Sequence, residues 1–169
     1  MKAIYLDNAA TTKIDSDVLE LMHISMQENF GNPSSTHQFG RKAKSALETA
    51  RKNIAQHFNV SASEIIFTSG TTESINVIAA GYASILKKED ELLISALEHH
   101  SNIVPWQMLC EKTGATLKVI PMTKLGTLDM EAFDNLLNPK TKLVFVNHVS
   151  NALGTINPIK EIIDKSHQK

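Results

Sequence analysis

The chain has 169 residues, of which 42% are hydrophobic and 21% charged, a balance typical of one globular core and not of a disordered chain. Seventeen basic and eighteen acidic residues leave a net charge of -1, and no basic run is long enough to serve as a nucleic-acid footprint. Because the sequence also has neither a long apolar span nor a signal-peptide pattern, we expect a cytoplasmic protein whose partners exclude nucleic acid and membrane.

The first forty residues predict an arm, a helix and a polar loop. Residues 1–12 join a short apolar piece to turn formers, which is typical of an extended arm. Asp15 or Ser16 is suited to cap a helix that stops before Pro33. Its apolar residues fall on one face: Val18, Leu21, Met22 and Met26. Residues 31–40 are too polar and turn-rich for a core element, and loops of that kind often carry function.

A long amphipathic helix is predicted after this loop. Its apolar residues form one stripe: Ala43, Ala46, Leu47, Ala50, Ile54 and Phe58. Residues 65–67 are β-branched or aromatic and predict a buried strand that runs through Gly70 into an apolar helix.

The turn around Gly70 has two interpretations. A glycine lets the backbone approach a ligand, and the free N–H groups of the next helical turn, with the hydroxyls of Thr71 and Thr72, are suited to bind a phosphate. The alternative is ordinary helix capping by Ser69 or Thr71, which needs no ligand. The turn lacks the lysine and the glycine spacing of the common nucleotide-binding loops.

The rest of the chain alternates strands and helices. The predicted strands are 91–96, 117–120 and 142–147, and the predicted helices are 97–113, 129–137 and 157–169. This alternation predicts an α/β fold, with a mainly parallel sheet flanked by helices on both faces. The last helix has no strand after it, so we expect a truncated domain.

Polar residues follow the predicted strands at the edge where a ligand would bind. His99 and His100 come after one strand, and the run from Asn147 to Gly154 comes after another. Because parallel strands end at the same edge, these residues and the turn at Thr71 predict a pocket. A histidine at a helix start is also a common cap, and Asn151 is also a common turn former.

Cys110 lies in an apolar helix beside Trp106. A reactive thiol needs a cationic, accessible setting, which this helix lacks, so we expect Cys110 to be buried packing. A single cysteine also excludes an internal disulfide and a cysteine-based metal cluster within this chain, and no metal site is predicted.

With these residues identified, the chain resembles the cysteine desulfurases, pyridoxal-phosphate enzymes of the class V aminotransferase group. The matching motifs occur in order along the chain: Tyr5–Thr12, Gly31–His37, Thr68–Asn76, Glu98–Gln107 and His148–Gly154. The resemblance implies part of the large domain of a fold type I pyridoxal-phosphate transferase. It divides the chain into residues 1–40, with the arm, helix and substrate-side loop, and residues 41–169, the first part of the cofactor-binding domain.

The resemblance also implies roles for single residues. Thr71 and Thr72 would hold the cofactor phosphate, with Thr72 the leading candidate. His99 would stack on the pyridine ring as a catalytic residue, and Asn151 would donate to the phenolic oxygen of the ring.

Three further residues would lie near the substrate entrance: Ala9, Ala10 and His37. The implied reaction converts L-cysteine to L-alanine and leaves a persulfide on an enzyme cysteine, for iron–sulfur cluster assembly or other sulfur transfer to an acceptor or scaffold protein. The family enzyme is expected to be a homodimer.

The lysine that binds the cofactor, the aspartate paired with the pyridinium nitrogen and the nucleophilic cysteine come later in family members. The chain would therefore cover roughly the first two-fifths of a full enzyme, by the usual size of such two-domain chains, and be inactive by itself. Two alternatives stay open: a selenocysteine lyase or other class V aminotransferase, and a catalytically inert fragment. The motifs before residue 40 resemble the branch serving general iron–sulfur assembly, whereas those from His99 to Trp106 and from Val149 to Gly154 resemble the branch that includes selenocysteine lyases.

Overall fold

The computed structural model of the protein describes residues 3–169; Met1 and Lys2, which begin the predicted arm, lie outside the described residues. The chain divides into two compact units, one ending at Phe67 and the other Thr68–Lys169. The boundary predicted after residue 40 stays a prediction, and that position lies inside a helix of the first unit. Within residues 3–169, none of the helices has the length and hydropathy that a membrane span requires.

The first helix of the first unit, α1, is Ser16–Glu28. Asp15 caps it as predicted, because its carboxylate accepts a hydrogen bond from the Asp17 backbone N–H at 2.9 Å. All residues of α1 are exposed, including the predicted apolar face, where Met26 is 71% exposed.

The second helix, α2, is Gln38–Phe58 and therefore begins inside the stretch predicted as loop. His37 caps α2 through its ring, since Nδ1 accepts a hydrogen bond from the Gly40 backbone N–H at 3.3 Å. Gly40 is buried, and a Cβ at this position would lie 2.3 Å from the Ser35 carbonyl oxygen. Of the predicted apolar stripe, Ala43 is buried and the other members are exposed.

The strand predicted at residues 65–67 is wrong. Ile65 is extended, with φ -93° and ψ 120°, but no strand among the described residues pairs with this segment. A segment with strand propensity forms a strand only when a neighbouring backbone is present to make the hydrogen bonds of a sheet. Instead the Ile65 carbonyl accepts from the Arg51 guanidinium, which lies 4.9 Å from the centroid of the Phe67 ring.

The second unit has a parallel three-stranded sheet. Its strands are β1 Glu91–Ser95, β2 Thr116–Ile120 and β3 Thr141–Phe145, and its helices are α3 Thr71–Tyr82, α4 Val104–Thr113, α5 Met130–Leu136 and α6 Ile159–Ser166. The strand order is β2-β1-β3, with both pairings parallel, so β1 is central. The β1–β3 register slips by one residue between Glu91 and Leu92. The predicted parallel sheet is confirmed, and each strand lies within two residues of its predicted bounds.

Helices cover both faces of the sheet. Successive side chains of β1 point to opposite faces, so Leu92 and Ile94 join the core under α3 and α4, whereas Leu93 joins the core under α5 and α6. Trp106 on α4 is 1% exposed and stacks on Phe145 of β3, with ring centroids 3.8 Å apart. These contacts fix the helices, and hence the loops between elements, relative to the strand ends.

Cys110 of α4 is 8% exposed and belongs to the core under α3 and α4, as predicted. Burial raises the pKa of its thiol above the ordinary value. The helix predicted over residues 97–113 has two parts: a 3₁₀ turn, His100–Asn102, and then α4. Gly114 ends α4 with φ 79°, a left-handed conformation that suits glycine at this position.

Candidate functional site

The carboxyl ends of β1 and β3 lie side by side, because the two strands are parallel neighbours. Asn147, just after β3, binds the segment after β1: its side-chain amide donates to the Leu97 carbonyl at 2.7 Å, and its backbone N–H donates to the Glu98 carboxylate. Helix α3 leads into the amino end of β1 and contacts the 3₁₀ turn after β1. The start of α3 therefore lies at this same edge of the sheet.

The turn before α3 has its own hydrogen bonds. Gly70 is the N-cap residue, with φ 157° and no side chain to cap the helix. The Thr68 and Ser74 hydroxyl oxygens lie 2.7 Å apart, and each lies within hydrogen-bond distance of the Gly70 carbonyl oxygen, at 3.1 and 3.2 Å. With one proton on each hydroxyl, one donates to the carbonyl and the other to its neighbouring hydroxyl. The Glu73 carboxylate accepts from the Ser69 backbone N–H at 2.6 Å. Neither Ser69 nor Thr71 is the N-cap residue that the capping interpretation requires.

The first turn of α3 presents unused donors. Within residues 3–169, the backbone N–H groups of Thr71, Thr72 and Glu73 have no acceptor, and neither threonine hydroxyl has a hydrogen-bond partner. Both threonines are exposed. Hydrogen bonding from Ser69, first from its side chain and second from its backbone N–H, holds the pKa of the Glu73 carboxyl below its ordinary value. The negative charge of Glu73 stabilises the start of α3, because it lies at the positive end of the helix dipole.

His99 is the N-cap residue of the 3₁₀ turn. Its Nδ1 accepts from the Ser101 backbone N–H at 3.2 Å and lies 2.9 Å from the Ser101 hydroxyl. Because Nδ1 accepts, the proton of the neutral ring is on Nε2. The ring is exposed and meets His100 edge-on, with centroids 6.1 Å apart. Capping is therefore one role of His99, and it leaves the ring face and Nε2 available.

Asn151 lies at the tip of a short hairpin after β3. Val149 and Ile156 form an antiparallel bridge, and the Ser150 backbone N–H donates to the Thr155 carbonyl at 2.9 Å. Ser150 is 3% exposed and anchors the hairpin, whereas Asn151 is exposed and its side chain has no hydrogen-bond partner among the described residues. Gly154 closes the turn with φ 70°.

Four of the predicted residues thus lie at one edge of the sheet: Thr71, Thr72, His99 and Asn151. Their roles stay predictions. The other three, Ala9, Ala10 and His37, belong to the first unit. Ala10 lies in a turn in which its N–H donates to the Asp7 carbonyl at 3.1 Å, and His37 caps α2.

Sequence reasoning missed a polar network at this edge. Glu98 accepts from Asn147 and Asn102, and the Asn157 side-chain amide donates to both oxygens of Asn147. Asn157 is 3% exposed, and its side-chain oxygen has no donor within residues 3–169. The signal for this network was the position of Glu98 and Asn147 at or just beyond the ends of two predicted strands.

Comparison with known proteins identifies the family. The class V aminotransferase family matches residues 4–169 of the chain. The chain belongs to this family. Curated relatives of this class V aminotransferase include a probable cysteine desulfurase of Mycolicibacterium paratuberculosis, 44% identical over 98% of the chain and 24% of the relative. Another, from Synechocystis sp., is 44% identical over 98% of the chain and 40% of the relative.

Solved structures agree with the family. A NifS-like protein matches 98% of the chain and 46% of its own length, with a TM-score of 0.89 and 34% identity. SspA in complex with cysteine matches 97% of the chain and 47% of its own length, with a TM-score of 0.87 and 32% identity. The predicted α/β transferase fold is confirmed, and the chain spans less than half the length of each protein it is compared with here.

Proposed function

We propose that this class V aminotransferase chain carries the phosphate- and ring-binding part of a pyridoxal-phosphate-dependent cysteine desulfurase. The observation that supports this most is the unused donor set of the first turn of α3, at the same sheet edge as His99 and Asn151. The names of the curated relatives support the choice of cysteine desulfurase over other members of the family.

The donors at α3 fit the phosphate of this cofactor. A phosphate dianion would meet the N–H groups of Thr71, Thr72 and Glu73 at the positive end of the helix dipole, and two hydroxyls would add donors. Gly70 keeps the approach open, since a Cβ at this position would have no neighbour within 4 Å. The Glu73 carboxylate is bonded to the Ser69 backbone N–H, so it does not accept from the N–H groups of Thr71 and Thr72.

His99 and Asn151 fit the ring of the cofactor. The exposed imidazole of His99 offers a flat face for stacking, and its Nε2–H can hold or release a proton near the substrate. The Asn151 side-chain amide is suited to donate to a ring oxygen that carries negative charge. When bound, pyridoxal phosphate supplies an electron-withdrawing ring that stabilises carbanions at the substrate carbon. Ala9, Ala10 and His37 are proposed to line the substrate side.

The whole enzyme is proposed to release L-alanine from L-cysteine and to hold the sulfur as a persulfide on a cysteine outside this chain. Cys110 does not suit this role, because it is 8% exposed and burial raises its thiol pKa, so little nucleophilic thiolate would be accessible. A solved relative in complex with cysteine supports the substrate. The whole enzyme is further proposed to be a cytoplasmic homodimer. It would pass its sulfur to an acceptor or scaffold protein, with a role in iron–sulfur assembly.

Cofactor binding to the Thr72→Val variant tests the site. The valine keeps the shape of the side chain and removes one hydroxyl donor, so the affinity for pyridoxal phosphate should fall about ten-fold, the effect of one hydrogen bond to a charged group. Quenching of the single tryptophan, Trp106, and the 31P resonance of the cofactor both measure binding.

Thr116→Val is the matched control, because Thr116 is an exposed threonine at the amino end of β2. Its affinity should equal that of the parent chain. Equal affinities for all three proteins would show that the phosphate does not bind at α3. The parent chain should also release no alanine from cysteine, and release by this chain alone would contradict the assignment of the missing groups to the rest of the enzyme.

A further inference from the structure

Glu98 is the centre of a closed set of contacts between the loops after β1 and β3. One carboxylate oxygen accepts from the Asn147 backbone N–H, and the other accepts from the Asn102 side-chain amide at 2.7 Å. The Asn102 side-chain oxygen accepts from Trp106 Nε1 at 2.9 Å. Trp106 stacks on Phe145, two residues before Asn147, which closes the circle.

The same circle holds the two loops that carry His99 and Asn151. His99 follows Glu98 directly, and its carbonyl accepts from the Asn102 backbone N–H at 2.8 Å. The Asn157 side-chain amide donates to both oxygens of Asn147, at 2.7 and 2.8 Å. The Asn157 backbone N–H donates to the His148 carbonyl, which lies at the base of the hairpin that carries Asn151. The exposed side chains of His99 and Asn151 therefore project from two backbone segments that the same hydrogen-bond network holds in place.

The direction of each hydrogen bond in the network is forced. The Trp106 indole can only donate, so Asn102 must turn its oxygen toward Trp106 and its amide toward Glu98. The Asn147 backbone N–H can only donate as well. Residue 98 therefore faces two donors and must accept on both oxygens. A carboxylate does this, and an amide of the same size does not.

We propose that Glu98 is a positioning residue, which sets the spacing between His99 and Asn151 through Asn102 and Asn147. The importance of that spacing for the cofactor ring rests on the proposed function. The network itself does not depend on the cofactor, because all of its hydrogen bonds form between residues of this chain.

An exchange of donor and acceptor tests the proposal. In Glu98→Gln, one amide N–H group must face another donor, and in Asn102→Asp two carboxylates face each other. In the double variant, the new amide at position 98 accepts from Asn147 through its oxygen and donates through its nitrogen to the new carboxylate at position 102. That carboxylate still accepts from Trp106. Each single variant should lower the folded-to-unfolded ratio by about five- to ten-fold, the lower end of the effect of a polar group left without a partner, because Glu98 and Asn102 are partly buried. The double variant should return to within about two-fold of the parent, since every group again has its partner.

The matched control makes the same chemical changes at two exposed positions, Glu111→Gln and Asn135→Asp. Neither side chain has a hydrogen-bond partner within residues 3–169, so the control effects should be small and additive. Urea unfolding of the full chain measures the ratio. The backbone amide resonances of His99 and Asn151 provide a second readout, and both should shift in Glu98→Gln and return in the double variant.

A loss of stability alone would not move the Asn151 resonance in the folded protein, so the second readout separates positioning from a merely structural role. The proposal is overturned if the double variant is no more stable than the worse single variant, or if Glu98→Gln leaves the Asn151 resonance in place. If both single variants fail to fold, folding of the double variant is the expected rescue, and its failure overturns the proposal. Pyridoxal phosphate affinity is measured in parallel. Rescue of stability and resonances with no binding by any variant, including the parent, would contradict the proposed function and leave the network intact.

Discussion

The amino edge of the sheet contains an ion pair whose removal should have a pH-dependent effect on stability. Glu91, at the start of β1, accepts from Lys118 Nζ at 2.6 Å and from the Asn138 side-chain amide at 2.7 Å. The Glu91 side chain is 15% exposed and that of Lys118 is 33% exposed. The hydrogen bond from Lys118 is the main cause that lowers the Glu91 pKa from its ordinary 4.5, and the bond from Asn138 is the second.

The expected size follows from what Glu91→Gln removes. Lys118 and Asn138 donate to the same carboxylate oxygen, so a glutamine oxygen can still accept from both, and what Glu91→Gln removes is the negative charge opposite Lys118. An exposed ion pair contributes about 0.2–1 kcal/mol, and the partial burial of Glu91 and Lys118 puts the loss near the upper end, about 1 kcal/mol at pH 7. Because the Glu91 pKa is lowered on folding, this stability is fully present above pH 4.5 and is lost as the pH falls through the folded pKa.

Urea unfolding of the parent and of Glu91→Gln, from pH 7 downward, measures the difference. Glu89→Gln is the control, because Glu89 is exposed and has no ion pair among the described residues. The gap between parent and Glu91→Gln should close at acid pH, whereas the control should follow the parent throughout. A gap that widens as the pH falls, or equal stability of the two variants at pH 7, would refute the ion-pair reasoning.

Two further predictions concern Cys110 and Gly40. A thiol reagent at pH 7 should modify Cys110 more than about ten-fold faster in urea than in the native chain, since burial both shields the thiol and raises its pKa, and equal rates would contradict burial. Gly40→Ala should cost about 1–3 kcal/mol of unfolding free energy, because its Cβ would lie 2.3 Å from the Ser35 carbonyl oxygen, a backbone atom that no rotamer change can move. Gly81→Ala on α3, whose Cβ would have no neighbour within 4 Å, should be neutral or stabilising in the same urea titration, and an equal loss in both variants would argue against the close approach at Gly40.

The sheet of the second unit was predictable because its information is local. Mainly apolar runs at residues 91–96, 117–120 and 142–147 are each bounded by turn formers, and each forms a strand. The strand predicted at residues 65–67 has the same composition but is unpaired within residues 3–169, because strand formation depends on a neighbour as well as on propensity. His37 is an uncommon N-cap residue, which is why α2 starts earlier than predicted.

The location of Thr71, His99 and Asn151 was predictable from the sequence, whereas the network that supports them was not. The positions of Thr71, His99 and Asn151 after or between strands indicated one edge of the sheet. The bond between Glu98 and Asn147 joins residues 49 positions apart, and nothing in a single sequence pairs them. That pairing depends on the strand order and register, which only the folded chain defines.

The register slip between β1 and β3 has a consequence for how this fold tolerates change. Glu91 pairs with Thr141 and Leu92 pairs with Leu143, so Lys142 is an extra residue at the amino end of β3. Beyond it, Leu93 meets Val144 and Ile94 meets Phe145 without interruption. An insertion or deletion in the turn before β3 can thus be absorbed at the far rim, while the opposite rim keeps its alignment. A change of chain length in the turn before β3 therefore need not move the loops that carry His99 and Asn151.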